Sequence, residues 1–117
     1  MNGQGRTIPF SPAIQAGATI YLSGQVGQDP ATSRLVDGGV TPQMEQALTN
    51  ARSILEAAGR SFADVVRVGI YLADMGDFQA INAVYARHFE EPYPARTTVG
   101  VAALPLGAAV EVDMIVG

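Results

Sequence analysis

Two stretches near the end of the chain carry isolated charges in apolar surroundings. Arg96 lies in EEPYPARTTVG, residues 90–100, and Glu111 lies among the valines of VEVDMI. A guanidinium can hold both oxygens of a small carboxylate through its planar fork of donors. A glutamate close to such a ligand could orient a water molecule or accept its proton. Together, these residue types suggest binding or hydrolysis of a small organic acid without a metal or a cofactor.

Both stretches alternate apolar and polar residues, which is the pattern of β-strands. Successive side chains of a strand point to opposite faces. Arg96 and Thr98 therefore share one face of the first strand, and Glu111 and Asp113 share one face of the second. If the two strands lie in one sheet and helices cover their valines, all four polar residues point to the uncovered face. Thr98 could add a hydroxyl or a backbone carbonyl to this group.

A structural explanation of the same residues stays open. An arginine and a glutamate on neighbouring strands commonly form an ion pair at a subunit contact, and spacing does not separate that role from catalysis. The only histidine, His88, falls late in a helical stripe. That position is more typical of a packed or capping residue than of a catalyst.

The elements that would position these residues follow the order β-β-α-β-α-β-β. An extended piece over residues 5–11 comes first, and residues 18–27 alternate as a strand. Thr41 as N-cap and Pro42 at the first helical position predict the start of a helix. Gly59 predicts its end, because glycine readily adopts the left-handed conformation of a helix C-terminus.

The second half of the chain repeats the alternation of strand and helix. Residues 62–74 contain a strand, in which we expect Val66 to face the core and Val65 to face away from it. A second helix follows Asp77, and the last two strands close the chain. Helices that link strands in this way lie on one face of one sheet. The opposite face would then need cover, most simply from another copy of the chain.

Composition narrows the class of protein. The chain has 117 residues, which favours one domain over residues 1–117. Charged residues make up 15%, against about 25% in typical globular proteins, which suggests that some surface is hidden in a homo-oligomer. There is no cysteine and one histidine, so neither a thiolate nucleophile nor a metal site with several histidines can form within one chain.

Charge and terminal segments exclude further classes. All seven basic residues are arginine, so a Schiff-base lysine is impossible. The net charge of −4 and the absence of basic runs argue against nucleic-acid binding and ribonuclease action. No apolar run resembles a signal peptide or a membrane span, so we expect a soluble, cytoplasmic protein.

Five sequence elements together resemble the Rid family (YjgF/YER057c/UK114), the reactive intermediate deaminases. They are SGQ, EAAG, DF..IN..Y, PAR and LP…VE, in that order, and the likeness runs from about residue 9 to the end. The resemblance implies a chorismate-mutase-like α+β fold with a mixed sheet, and homotrimers with sites in the clefts between subunits. It also implies a cofactor-independent hydrolase that converts enamines and imines, such as 2-aminoacrylate, to 2-keto acids and ammonia.

The resemblance assigns roles to individual positions of this chain. The family's carboxylate-binding arginine falls on Arg96, and the glutamate linked to water activation falls on Glu111. Ser23 and Gly24 of SGQ fall at the cleft. Thr98 falls where the family often has cysteine, and its backbone is expected to matter more than its side chain.

Two positions depart from the family pattern. Phe10 stands where a tyrosine is usual, so a ring remains to line the pocket without its hydroxyl, and Gly100 stands where a glutamate is frequent. These changes keep three other functions open. One is a trimer that binds small carboxylates without catalysis, another is deamination of a larger enamine or imine, and the third is a protein-contact role such as chaperone-like activity.

Overall fold

A five-stranded mixed sheet is the framework of the computed structural model, which describes residues 8–117. The elements are β1 (Ala13–Ala16), β2 (Thr19–Val26), α1 (Val40–Ala57), β3 (Val65–Leu72), α2 (Phe78–His88), β4 (Ala95–Gly100) and β5 (Val110–Val116). The predicted order of elements is confirmed, and so is the α+β class. The first strand, however, lies outside the predicted segment 5–11, whose residues 8–11 are irregular and whose earlier part lies outside the described residues.

The strands are arranged in the order β1-β2-β5-β3-β4. Only β3 and β4 run parallel, with α2 as the crossover between them, and the other pairs are antiparallel. Both helices cover one face of the sheet, where a single buried cluster forms. The fully buried large side chains of this cluster are Ile20, Met44, Leu48, Leu55, Ile70, Leu72, Ile81, Val68, Val84, Val110, Val112 and Val116. We call the opposite side of the sheet the uncovered face.

The start of β3 differs from the predicted alternation. Val65 is buried with 6% exposure, whereas Val66 is 51% exposed, the reverse of the prediction. The register between β3 and β5 shifts between Val65 and Arg67. An extra residue in one strand turns the side chains before it to the other face. From Val68 onward, the alternation follows the prediction.

The first helix begins slightly earlier than its sequence signals suggest. It starts at Val40 after Gly39, so the prediction that Thr41 is the N-cap was wrong, although Pro42 still lies in the first turn. The predicted end is confirmed, because Gly59 has the positive φ of 76° expected of a residue just past a helix. Among residues 8–117, neither helix is long and apolar enough to cross a bilayer.

A cluster of charged side chains joins the outer surfaces of the two helices. Glu45 of α1 accepts hydrogen bonds from Arg87 and His88 of α2, with His88 Nε2 lying 2.6 Å from Glu45 Oε1. Arg52 Nη2 lies 3.1 Å from His88 Nδ1. Arginine has no acceptor, so His88 Nδ1 accepts this bond and Nε2 carries the ring proton toward Glu45. The hydrogen bond from Arg87, and then that from His88, lowers the pKa of Glu45 below its ordinary value of 4.5.

We expect Glu45→Gln to remove stability that depends on pH. A carboxylate whose pKa is lowered by folding stabilises the native state above its ordinary pKa, and this contribution is lost as pH falls through the lowered value. The group is partly exposed, so the difference in free energy of unfolding is about 0.5–1 kcal/mol at neutral pH. Urea titrations from neutral pH down to about pH 3 should show the difference shrinking. Glu56→Gln changes an exposed residue of the same helix and is the matched control. A difference in free energy of unfolding between parent and Glu45→Gln that stayed constant over this pH range would contradict the prediction.

Candidate functional site

Arg96 lies at the second position of β4 and is held by neutral groups. Its Nε donates a hydrogen bond to Thr98 Oγ1 at 2.8 Å, and its Nη2 donates to Asn82 Oδ1 of α2 at 2.5 Å. The guanidinium lies 4.7 Å from the centre of the Tyr85 ring. Among residues 8–117, no carboxylate forms a salt bridge with it. Burial lowers the pKa of Arg96 and Tyr85 opposes this effect, but a guanidinium remains charged in proteins.

A cavity of about 340 Å³ lies directly beside this guanidinium. Its lining consists of Asn82, Tyr85, Ala86, Tyr93, Pro94 and Arg96. The volume suits a small molecule, and apolar walls with one placed charge are typical of ligand sites. A larger cavity of about 430 Å³ is bordered by Arg52, Phe62 and His88 and contains none of the predicted site residues. We therefore assign the candidate site to the smaller cavity, on the basis of its chemistry.

Glu111 lies on the uncovered face, at the second position of β5. Burial, and then the nearby charge of Asp113, raises the pKa of Glu111 above its ordinary value. A carboxylate with a raised pKa is a better proton acceptor near neutral pH. Asp113 itself accepts a hydrogen bond from the Tyr71 hydroxyl at 2.9 Å. Glu111 is thus partly buried with a raised pKa, whereas Asp113 is engaged in a hydrogen bond with Tyr71.

Gly24 provides the space in which the Glu111 side chain lies. A Cβ at position 24 would overlap Glu111 Oε2 and would lie 2.8 Å from its Cδ. The pairing of β2 with β5 is also irregular next to Gly24, because the register shifts from Leu22 to Gln25. The irregular strand and the missing side chain together allow the carboxylate to lie against the backbone.

Ser23, the neighbour of Gly24, anchors the segment that precedes β1. Its hydroxyl donates to the Ser11 carbonyl at 2.6 Å, and its N–H donates to the Pro12 carbonyl at 2.9 Å. These bonds fix the segment that carries Phe10. Phe10 is 61% exposed, so its ring is available for contact with another molecule.

We expect Gly24→Ala to slow any reaction in which Glu111 accepts a proton, because the substitution displaces the Glu111 carboxylate. The new methyl group requires the carboxylate to move, so kcat should fall by about tenfold or more, while the thermal midpoint changes little. A double-mutant cycle with Glu111→Gln provides the control, because Gly24→Ala should have almost no further effect once the carboxylate is gone. Additive losses in the double variant would refute this explanation.

The sheet places Arg96 and Glu111 on opposite faces, which corrects the expectation that they share one. In the register, Arg96 and Thr98 pair with the core residues Val68 and Ile70, whereas Glu111 and Asp113 pair with Tyr71 and Gly69 on the uncovered face. The expectation failed because it assumed that the valines of both strands face the helices. This assumption does not hold for β4, which is an edge strand. Val99 lies on the uncovered face and is 40% exposed. Strand β3 also separates β4 from β5, so one chain offers two half-sites.

Sequence reasoning did not single out Asn82 and Tyr85 as site residues. They lie three residues apart on α2, so both reach the same side of the helix and face Arg96. The only available signal was their place in DF..IN..Y, next to the apolar stripe. Among residues 8–117, no three histidine, cysteine, aspartate or glutamate side chains come together as candidate metal ligands.

Comparison with known proteins relates this chain to a family. Residues 5–117 match the family profile described as Endoribonuclease L-PSP. A protein of Capra hircus named 2-iminobutanoate/2-iminopropanoate deaminase is 50% identical over 107 residues, which are 92% of this chain and 78% of that protein. The crystal structure of RidA from an Antarctic Psychrobacter is 44% identical with a TM-score of 0.90, covering 96% of this chain and 90% of that one. The structure of E. coli TdcF with bound serine is 32% identical with a TM-score of 0.88, and it covers 96% and 90%.

Proposed function

The chain belongs to the Rid family, whose profile is that of Endoribonuclease L-PSP, and we propose that it is a deaminase of 2-imino acids. The substrates are 2-iminobutanoate and 2-iminopropanoate, which appear in the name of the Capra hircus relative. The reaction replaces the imine nitrogen with the oxygen of water and releases a 2-oxo acid and ammonia. The observation that carries the proposal is the Arg96 guanidinium, which has neutral partners and a cavity beside it.

In the proposed reaction, Arg96 binds the carboxylate of the substrate. Thr98 and Asn82 hold the guanidinium at 2.8 and 2.5 Å without neutralising its charge, so its remaining donors can grip an anion. Partial burial strengthens this interaction, because the local dielectric is lower than that of water. Binding at one end fixes the position of the imine carbon, and orientation of this kind contributes to the rate.

Glu111 is the proposed general base. It accepts a proton from a water molecule as the water oxygen bonds to the imine carbon, and the imine nitrogen takes up a proton from solvent. The resulting carbinolamine breaks its C–N bond when Glu111 returns the proton to the nitrogen. The hydroxyl proton of the carbinolamine passes to solvent, the carbon keeps the oxygen as a carbonyl group, and ammonia leaves. The raised pKa of Glu111, caused mainly by burial, supports this exchange of protons.

We propose that a complete site needs two copies of the chain, in a homotrimer. Arg96 and Glu111 of one chain lie on opposite sides of the sheet and cannot contact the same small molecule. The uncovered face that carries Glu111 also exposes apolar surface, with Tyr21 at 50% and Val99 at 40%. A second copy that covers this surface would bring its own Arg96 half-site toward Glu111.

Turnover of a freshly generated imine tests the proposed function. An amino-acid oxidase acting on 2-aminobutanoate supplies 2-iminobutanoate, and ammonia release is followed with and without the protein. We expect a clear acceleration over spontaneous hydrolysis. The absence of acceleration would refute the deaminase, and binding of 2-oxobutanoate in the same preparation would then favour a carboxylate-binding protein without catalysis. A larger imine that is hydrolysed faster would favour the other substrate class.

A further inference from the structure

The hydroxyl of Tyr85 is buried and makes no hydrogen bond with any other residue of the range 8–117. The residue as a whole is only 5% exposed. Buried hydroxyls in native proteins nearly always have a partner, and an unsatisfied one calls for an explanation. Leaving such a group unpaired costs about 1–3 kcal/mol. The partner of this hydroxyl is therefore to be sought outside residues 8–117.

The Tyr85 ring is fixed, so the missing partner does not reflect a freely moving side chain. Phe89 stacks on it with ring centres 4.4 Å apart, and Phe62 in turn stacks on Phe89 at 4.7 Å with the planes nearly parallel. Arg52 extends the stack at its outer end, 4.7 Å from the centre of the Phe62 ring. The Arg96 guanidinium also lies over the Tyr85 ring, 4.7 Å from its centre. Packing of this kind sets the position of the phenol before any ligand binds.

Tyr85 and Arg96 line the same cavity of about 340 Å³. Burial raises the pKa of the Tyr85 phenol, and the positive charge of Arg96 opposes this effect. The phenol is therefore protonated at neutral pH and can donate a hydrogen bond. Thr98 and Asn82 already occupy some of the Arg96 donors. A carboxylate bound there gains from a further donor that does not belong to the guanidinium.

We propose that Tyr85 is a further substrate-binding residue, whose hydroxyl donates a hydrogen bond to the carboxylate held by Arg96. This inference rests on the proposed function, since it concerns the same cavity and the same anion. In the ligand-free protein the hydroxyl is unsatisfied and has almost no accessible surface, so the substrate carboxylate that supplies its acceptor must displace the cavity wall slightly as it binds. The residue thus trades stability of the empty protein for affinity toward the imino acid.

Tyr85→Phe tests this role because it keeps the ring and removes only the oxygen. We expect the dissociation constant for the product 2-oxobutanoate and the Michaelis constant for the imine substrate to rise about tenfold or more, as for a lost hydrogen bond to a charged group. The thermal midpoint should stay equal or rise, because an unpaired buried hydroxyl has been removed. Tyr71→Phe is the matched control for stability, since its hydroxyl has a partner in Asp113 and its loss should lower the midpoint.

Two results would overturn the role of Tyr85. One is unchanged affinity for 2-oxobutanoate in Tyr85→Phe. The other is the absence of a shift of the Tyr85 ring-carbon resonance when 2-oxobutanoate is added to the parent protein labelled in tyrosine. Failure of the proposed function is distinguishable, because it appears as a parent protein that does not accelerate imine hydrolysis. The binding measurements decide the role of Tyr85 in either case.

Discussion

Arg96→Ala is expected to lower kcat/KM for 2-iminobutanoate by about 10²- to 10⁴-fold, since two hydrogen bonds to charged groups contribute roughly 1.5–3 kcal/mol each and 1.4 kcal/mol corresponds to a factor of ten. The guanidinium is the proposed anchor of the carboxylate, and its own partners Thr98 and Asn82 are neutral. The protein should remain folded, because Arg96 lies at the edge of the sheet and outside the buried cluster. Steady-state kinetics measure kcat/KM, and calorimetry measures the affinity for 2-oxobutanoate.

Two further variants sharpen the Arg96 experiment. Arg96→Lys retains the charge but not the planar fork, so its activity should lie between that of the parent and that of Arg96→Ala. Arg34→Ala removes an exposed arginine that does not line the cavity and controls for the loss of one positive charge. If Arg96→Ala retained parental kcat/KM and affinity, the carboxylate would have to bind elsewhere, and the assignment of the cavity would be wrong.

Glu111→Gln is expected to lower kcat by about 10²- to 10⁴-fold, the usual contribution of a general base. The arrangement of the half-sites leads to a stronger test than the single variant. If Arg96 and Glu111 act from different copies, an Arg96→Ala chain and a Glu111→Gln chain can complete each other's site. Random exchange of subunits in an equal mixture would restore about one quarter of the sites. Activity of the mixture is measured before and after a cycle of dissociation and reassembly.

The outcome of the mixing experiment separates two geometries. Recovery of activity after reassembly requires a site built from two chains. If native mass spectrometry detected mixed oligomers that stayed inactive, both residues would have to act from one chain, against the opposite faces seen in the sheet. Mixing two batches of Arg96→Ala protein is the control and should recover nothing.

The sequence was sufficient for the framework of this protein. Alternation of apolar residues located four of the five strands, whereas β1 lies outside the predicted segment 5–11. The positive φ of Gly59 agrees with its predicted place at the end of α1. These features depend on local periodicity and backbone conformation, which neighbouring residues determine. The elements SGQ, PAR and LP…VE identified the family, and the match over residues 5–117 confirms it.

The faces of the site residues could not be read from periodicity alone. Alternation shows that Arg96 and Thr98 lie together, but it does not show which side of the sheet they occupy. That choice depends on strand order: β3 lies between β4 and β5, and α2 reaches the edge strand through Asn82. The face of Val65 was also predicted wrongly, because the irregular register at the start of β3 is not visible in the pattern of hydrophobicity.

The surroundings of each charged side chain could not be predicted from the sequence either. Nothing in the spacing of DF..IN..Y shows that Tyr85 lies beneath Arg96 or that its hydroxyl lacks a partner in the described chain. Such contacts join residues that are distant along the chain, so they depend on how α2 packs against β4.

The close contact between Gly24 and Glu111 also restricts how relatives of this protein can diverge. A lineage that keeps the acid cannot accept even alanine at position 24 without moving it, since the added carbon would overlap a carboxylate oxygen. A lineage that first replaces the acid with a smaller residue is released from this restriction. The pair of positions 24 and 111 can therefore sort relatives into those that keep the proposed water-activating acid and those that do not.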